Sequence, residues 1–337
     1  MQPISSDEGP PASTHPYSAL TPDVVLDALE AIGIRGDGRL LSLNSYENRV
    51  YQVWCEDAPP VVAKFYRPGR WSDEQIAEEH AFVAQLAERE VPVVAPLVLD
   101  GATLHSQQGF RIAVYPRRGG RAPELDDSAT LAWIGRFLGR IHGMGASGRF
   151  VRRPALTPYT FGSVSRQWLL DNASIPADLR DVYDGVSAQA LDGVARAYDR
   201  AGNVATLRLH GDCHGGNMLW TQAGPHFVDF DDARTGPAMQ DLWMLLSGDR
   251  ATMERQLGDV LEGYEQFRDF DRRELSLLEA LRTLRLLHYA AWIAQRWEDP
   301  AFPAAFPWFG TQRYWQDRIL ELREQIALLD EPPLQPR

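Results

Sequence analysis

Cysteine is almost missing from this 337-residue sequence, with Cys55 and Cys213 alone. That excludes a disulfide-stapled secreted scaffold and suits a reducing, cytoplasmic setting. No apolar run approaches the roughly 18 residues that a membrane span requires. The stretch Met1 to Pro16 is rich in Pro and Ser and has no apolar core, so it does not read as a signal peptide. A net charge of −12 leaves no cationic surplus for non-specific nucleic-acid binding. The scarcest residue is lysine. Of 34 basic side chains, 33 are Arg and one is Lys, Lys64. Arg replaces Lys freely on a solvated surface but not where a compact ammonium on a thin stem is needed.

What is present is an ordinary globular composition, 44% hydrophobic and 24% charged. At roughly 150 residues per domain, the length suits one large or two medium domains. Residues 1–20 and 331–337 read as loose tails. Thr21-Pro22 caps a short first helix that Gly33 stops. Strands are expected at 40–43, 50–54, 61–66, 93–99, 103–106 and 110–115. Ser72 and Gln75 form a capping box that opens a helix through about Arg89. The Gly/Pro-bearing connector 117–123 is the expected boundary between a lobe at 21–117 and a second at 118–330. That second lobe reads as helical over 128–142, 178–200, 238–247, 251–267, 272–297 and 311–329. Short strands interrupt it at 207–209, 218–220 and 226–228. The expected fold is therefore α+β and two-lobed, with a small β-rich lobe holding one long helix and a larger, mainly helical lobe.

The densest polar cluster is His210-Gly211-Asp212-Cys213-His214-Gly215-Gly216-Asn217, between two short apolar strands. Ten residues after Asn217 begins Phe227-Val228-Asp229-Phe230-Asp231-Asp232. Turn capping explains one or two such residues, not this density. Alternating His210, Asp212 and His214 could ligate a hydrolytic metal, but no partner cluster is evident. Phosphoryl transfer explains the whole set. It needs a carboxylate facing the incoming hydroxyl, and an amide oxygen and a second carboxylate to hold Mg²⁺ across the phosphates. Asp212 and Asn217 are five apart and Asp229 lies 17 beyond Asp212, which suits those roles. Lys64, on the apolar strand Val61–Phe65, suits the lysine that holds nucleotide phosphates, and needs a Glu from the next helix. Glu78 and Glu79 are the candidates, with Glu79 favoured by its place beside Phe82, Val83 and Leu86.

These residues resemble the aminoglycoside phosphotransferase/choline kinase superfamily, which has a bilobal protein kinase-like fold. The likeness runs over about residues 20–335 and rests on 43–51, 62–68, 208–214, 228–234, 240–246 and 299–303. Within the superfamily, the phrase at 43–51 and the Trp/Pro-rich C-terminal region are most similar to bacterial Ser/Thr protein kinases of stress responses. The resemblance implies that Asp212 is the catalytic base, with Asp229 the second catalytic carboxylate. It implies that Asn217 and Asp229 hold Mg²⁺, and that Lys64, backed by Glu79, binds ATP. Ser45 and Asn48 would cover the phosphates, because 43–51 lacks Gly-x-Gly-x-x-Gly. The segment at Tyr115–Pro116 would face adenine. Asp231 and Asp232 would pair with Arg, Asp241 would brace the catalytic loop, and His142, His210, His214 and Cys213 would be structural. Trp292, Trp297, Trp308 and Trp315 could line an acceptor pocket, though core packing is the commoner fate of Trp. The implied activity is ATP- and Mg²⁺-dependent phosphorylation of protein Ser/Thr, including autophosphorylation, by a cytoplasmic monomer in envelope or oxidative stress. The alternative is a small-molecule kinase for an amino alcohol, aminoglycoside or sugar hydroxyl.

Overall fold

The computed structural model describes residues 15–173 and 175–336. In chain order, α1 (Pro22–Glu30) leads into β1 (Gly36–Leu43), β2 (Arg49–Cys55) and β3 (Val61–Phe65), then α2 (Asp73–Glu88), β4 (His105–Gln107) and β5 (Phe110–Pro116). These strands form an antiparallel sheet in the order β1-β2-β3-β5-β4. Alternation along β3 divides its side chains between two faces. Ala63 and Phe65 enter a core with Val53, Ile112 and α1, while Val62 and Lys64 face a cavity. Ser72 caps α2 through the expected box with Gln75.

The larger lobe begins with α3 (Ser128–Ala146), capped by Asp127. A π-helical turn at Pro158–Ser163 runs into α4 (Val164–Asn172), followed by α5 (Ala177–Ala201). Then come β6 (Leu207–Leu209), β7 (Met218–Thr221), β8 (Gly224–Phe227) and β9 (Arg234–Gly236). β6 pairs with β9 and β7 with β8, so two small ladders carry the polar loops between them. The helices α6 (Met239–Trp243), α7 (Arg250–Tyr264), α8 (Leu278–Ala294), α9 (Ala301–Ala305) and α10 (Gln312–Leu329) complete the lobe. One apolar core joins α2, α3 and α7 to the ladders, and a second fills the space among α4, α5, α8 and α10.

The fold is the expected two-lobed α+β arrangement, with local differences. The strand expected at 93–99 is a strap, because Pro92 and Pro96 supply no N–H to a ladder. It keeps a bridge from Val93 to Phe227, a bond from the Leu97 N–H to the Val114 carbonyl and a bridge between Leu99 and Ala102. The helix expected over 272–297 splits into a 3₁₀ turn, Arg272–Leu277, and α8. The π turn with α4, and α9 and β9, were not foreseen. β9 is three residues long and depends on a distant partner, and neither leaves a periodic trace. The tails also differ where they are described, since residues 1–14 and 337 lie outside the described residues. Tyr17 is buried and its hydroxyl donates to the carbonyls of Glu47 and Phe65. Leu334 is buried against the main core. Among the described residues no helix is long and apolar enough to cross a membrane.

Candidate active site

β6 ends in the loop His210–Asp212, and a buried acid fixes that loop. Asp241, on α6, accepts the N–H groups of His210 and Gly211, each at 2.9 Å, and pairs with His142 Nε2 at 3.0 Å. His210 Nε2 lies 2.9 Å from the Val228 carbonyl, tying this loop to the strand before Asp229. Gly211 has φ +87°, and a Cβ there would meet the Asp232 carbonyl oxygen at 2.2 Å, so only glycine lets the two loops touch. Cys213 is fully buried and burial pushes its thiol up, which makes it a packing residue.

Asp212 emerges from this frame. Its Oδ1 lies 2.8 Å from Arg285 Nη1 and its Oδ2 3.5 Å from His214 Nε2. Burial opposes its ionisation, but the His214 hydrogen bond and the Arg285 charge outweigh that, and the carboxyl is held below its usual range. Asn217 spends its Nδ2 on the Asp212 carbonyl at 2.9 Å, while its Oδ1 accepts no hydrogen bond among the described residues. Asp229 adopts a left-handed backbone, φ 59° and ψ 64°, a conformation that for a non-glycine residue marks a constrained position. Its side chain is half exposed, and Oδ1 meets Lys64 Nζ at 2.9 Å.

Lys64 is buried and pairs also with Asp231 Oδ1 at 3.1 Å. Burial works against its charge, but Asp229 and Asp231 prevail and hold the ammonium well above its usual range. Glu79 does not ion-pair with it. Glu79 is buried, faces the same cavity, and has Arg153 Nη2 as its near cation at 3.8 Å, with the His80 imidazole, which burial keeps neutral, at the same distance. Burial first of all pushes its carboxyl up to about 7. Glu78 is on the outer face, where it accepts the N–H groups of Val151, Arg152 and Arg153. Asn48 is also tied to its neighbours. Its Nδ2 donates to Asp231 at 3.2 Å and its Oδ1 accepts the Arg67 N–H at 3.0 Å. Asp231 and Asp232 are Arg-paired, both with Arg70, and Asp232 also with Arg234 at 2.6 Å. Those cations hold both carboxyls far below the usual range despite burial.

Two abutting cavities share Ser45, Asn217 and Asp229. The first, about 340 Å³, is walled by Val50, Val62, Leu219 and Val228, with Lys64 inside and Tyr115–Pro116 at its edge. The second, about 490 Å³, holds Asp212 with Arg285, Tyr289, Trp292 and Phe306. Among the described residues no three His, Cys, Asp or Glu side chains gather to hold a metal by themselves. The free Oδ1 of Asn217 and the exposed carboxylate of Asp229 fit a hard cation that takes its other ligands from phosphates and water, the usual Mg²⁺ arrangement.

A family model for the APH phosphotransferase enzyme family matches residues 39–278. The chain belongs to this family. It is a phosphotransferase, and its similar relatives are kinases. It is 46% identical to stress response kinase A of Escherichia coli K12, over 96% of this chain and 98% of that one. It is 47% identical to the serine/threonine protein kinase RdoA of Salmonella typhimurium LT2, over 95% and 96%. In fold it is similar to an amicoumacin kinase solved with AMP-PNP, Ca²⁺ and Ami, with a TM-score of 0.72 at 18% identity, covering 93% of this chain and 95% of that chain. A microcompartment-associated aminopropanol kinase follows at 0.68 and 18%, covering 91% and 96%.

In this member of the APH family one wall of the second cavity comes from residues the sequence did not single out. Arg285, His288 and Tyr289 line it beside Trp292, one face of α8 at helical spacing. Of the four tryptophans named from sequence, only Trp292 lines the cavity, and its Nε1 donates to Glu47. Trp315 is fully buried core, Trp297 packs beside it, and Trp308 is exposed. Asp299, fully buried, joins Arg49 at 3.0 Å and Arg67 at 2.7 Å, so the small lobe is pinned to the segment before α9. That contact was visible only as a motif, Asp299-Pro300-Ala301-Phe302-Pro303, with no partner to give it meaning.

Proposed function

We propose that this kinase transfers the γ-phosphoryl group of ATP, with Mg²⁺, to Ser/Thr hydroxyls of proteins, its own included. The observation that carries the reading is Asp212 in one cavity and Lys64 in the other, with Asn217 and Asp229 on the shared wall. The apolar cavity, between the lobe 21–117 and the lobe 118–330 and edged by Tyr115–Pro116, takes the adenine; the cavity that holds Asp212 takes the acceptor. Ser45 lies where it can donate to the phosphates between them. A Mg²⁺ held by Asn217 and Asp229 would neutralise phosphate charge. Asp212 orients the acceptor hydroxyl. Its oxygen attacks the γ-phosphorus, the bond from that phosphorus to the bridging oxygen breaks, ADP leaves, and the hydroxyl proton passes to Asp212. Lys64, kept charged by its acidic neighbours, binds phosphate oxygens as a point charge.

Protein acceptors are favoured over amino alcohols or aminoglycosides by the chain's likeness to the serine/threonine protein kinase RdoA. Free thiols at Cys55 and Cys213 suit a cytoplasmic site of action. A monomer is the proposed state, and relatives named stress response kinase suit a stress role, here taken as envelope or oxidative stress. The test is transfer from labelled ATP to the protein itself, to a generic protein and to ethanolamine. Label in protein, lost in Asp212→Ala, supports the reading. Label in ethanolamine alone favours the small-molecule alternative.

A further inference from the structure

Both oxygens of Asp212 have close neighbours. Oδ1 is buried, accepts no hydrogen bond among the described residues and is ion-paired with Arg285 Nη1 at 2.8 Å, while Oδ2 faces His214 Nε2 at 3.5 Å and Asn217 Nδ2 at 3.4 Å. An acceptor hydroxyl that donates to Asp212 competes with Arg285 for Oδ1. The cavity's other arginines have carboxylates of their own. Arg70 joins Asp231 and Asp232, and Arg234 joins Asp232. Among the described residues Arg285 pairs with the catalytic carboxylate alone. Its side chain is 34% exposed, and it projects from α8 into the cavity. Among the described residues it is therefore the one guanidinium lining this cavity that an incoming group can reach.

Resting on the protein-kinase reading, we propose that Arg285 selects acceptors carrying a carboxylate next to the Ser or Thr that is phosphorylated. A planar guanidinium pairs with a carboxylate through two parallel hydrogen bonds, better than with a hydroxyl or amide. An acidic neighbour lets Arg285 change partners without losing one, and it frees Oδ1 of Asp212 for the hydroxyl. A basic neighbour strands the guanidinium against a like charge. An uncharged neighbour leaves Arg285 on Asp212, in competition with the acceptor. The mouth of the cavity suits an extended peptide. Tyr46, 46% exposed, stands 5.1 Å from Phe306, and Phe306 stands 5.7 Å from Trp308, 44% exposed, as an aromatic edge for flanking side chains.

The experiment uses the full chain with Mg²⁺ and ATP. One Ser peptide is made in three versions, with Asp, Ala or Arg on both sides of the Ser, and ethanolamine is a fourth acceptor. The expected order is Asp over Ala over Arg, with about a tenfold or larger span in kcat/KM, carried by KM. Arg285→Lys keeps that order, Arg285→Gln levels it, and Arg285→Glu turns it to favour the Arg-flanked peptide. A wild-type enzyme that phosphorylates all three peptides equally overturns the role of Arg285 and leaves the protein-kinase reading standing. The wild-type order surviving unchanged in Arg285→Glu also overturns it. Transfer to ethanolamine and to no peptide overturns the protein-kinase reading itself. The wild-type peptide comparison needs no variant, so a misfolded Arg285→Glu chain does not block the test.

Discussion

The Lys64 ammonium lies 2.9 Å from Oδ1 of Asp229, although 165 positions separate the two in the chain. One residue comes from the small lobe's β3, the other from the loop after β8. The contact joins the lobes at the wall their cavities share, and it depends on the ammonium's small size. Arg at this position brings a wide planar fork into a space already filled by Asp229 and Asp231. Lys64→Arg is expected to lower kcat/KM for ATP by about a hundredfold, the order of loss that a roughly 1 Å misplacement causes. Steady-state kinetics across ATP concentrations check this. Near-normal turnover would mean that the single lysine of this sequence is incidental.

Asp212 lines the cavity that holds Arg285 but not the apolar one. Asp212→Asn should therefore separate chemistry from nucleotide binding. The expected outcome is a fall in kcat of about 10²–10⁴-fold, the range for a lost general base. The Kd for ATP, measured by calorimetry, should stay within a factor of a few. An equal loss of ATP affinity would contradict the division between the two cavities.

Asp299 is buried with two arginines of the small lobe on it, Arg49 and Arg67. Removing one partner from a buried ion cluster costs about 3–5 kcal/mol, because the remaining charges stay desolvated. Asp299→Asn is expected to lower unfolding free energy by that order in urea titrations. Burial raises its carboxyl, but the Arg67 hydrogen bond and further contacts depress it below the ordinary 3.8. Its contribution is therefore present above that value and is lost as pH falls through the depressed folded pKa. Wild type and Asp299→Asn should converge in stability at strongly acid pH.

Glu274 behaves in the opposite sense. It is buried, and its Oε2 accepts the Met239 N–H at 2.8 Å. Burial pushes its carboxyl up to about 7, and the Met239 bond only partly offsets this. The folded state then binds the proton more tightly than the unfolded chain. Stability from this group is full below the ordinary 4.5 and declines as pH rises towards about 7. The integrated loss is about 3 kcal/mol. Glu274→Gln should flatten the profile across that window. Urea unfolding of both proteins at several pH values between those limits checks the sign. A wild type that gains stability relative to Glu274→Gln on going alkaline would refute it.

Asp212, Asn217 and Asp229 were legible because two short ladders, β6 with β9 and β7 with β8, bring them together over a small loop. Their spacing carries the geometry. Lys64 was legible through a count and an apolar strand. Its partner was not, because the helix that offers Glu78 and Glu79 supplies both at adjacent positions. Only the packing of α2 on the larger lobe sends Glu78 to the backbone of 151–153 and Glu79 into the cavity. The contact of Asn48 with Asp231 was hidden for the same kind of reason, since nothing near Asn48 in the chain announces a residue 183 positions away.

Residue types at short spacing thus determined by themselves that the chain is a phosphotransferase on a two-lobed α+β frame. Their chemistry needs few neighbours, and those neighbours lie close in sequence. Tertiary structure alone decided how the charges pair. It put Arg285 on Asp212, Arg70 between Asp231 and Asp232, and Asp299 under Arg49 and Arg67. The physical reason is that a buried ion must find its counter-ion wherever packing brings one. Arg49 and Asp299 meet across 250 positions, and no periodicity or motif spans such a distance.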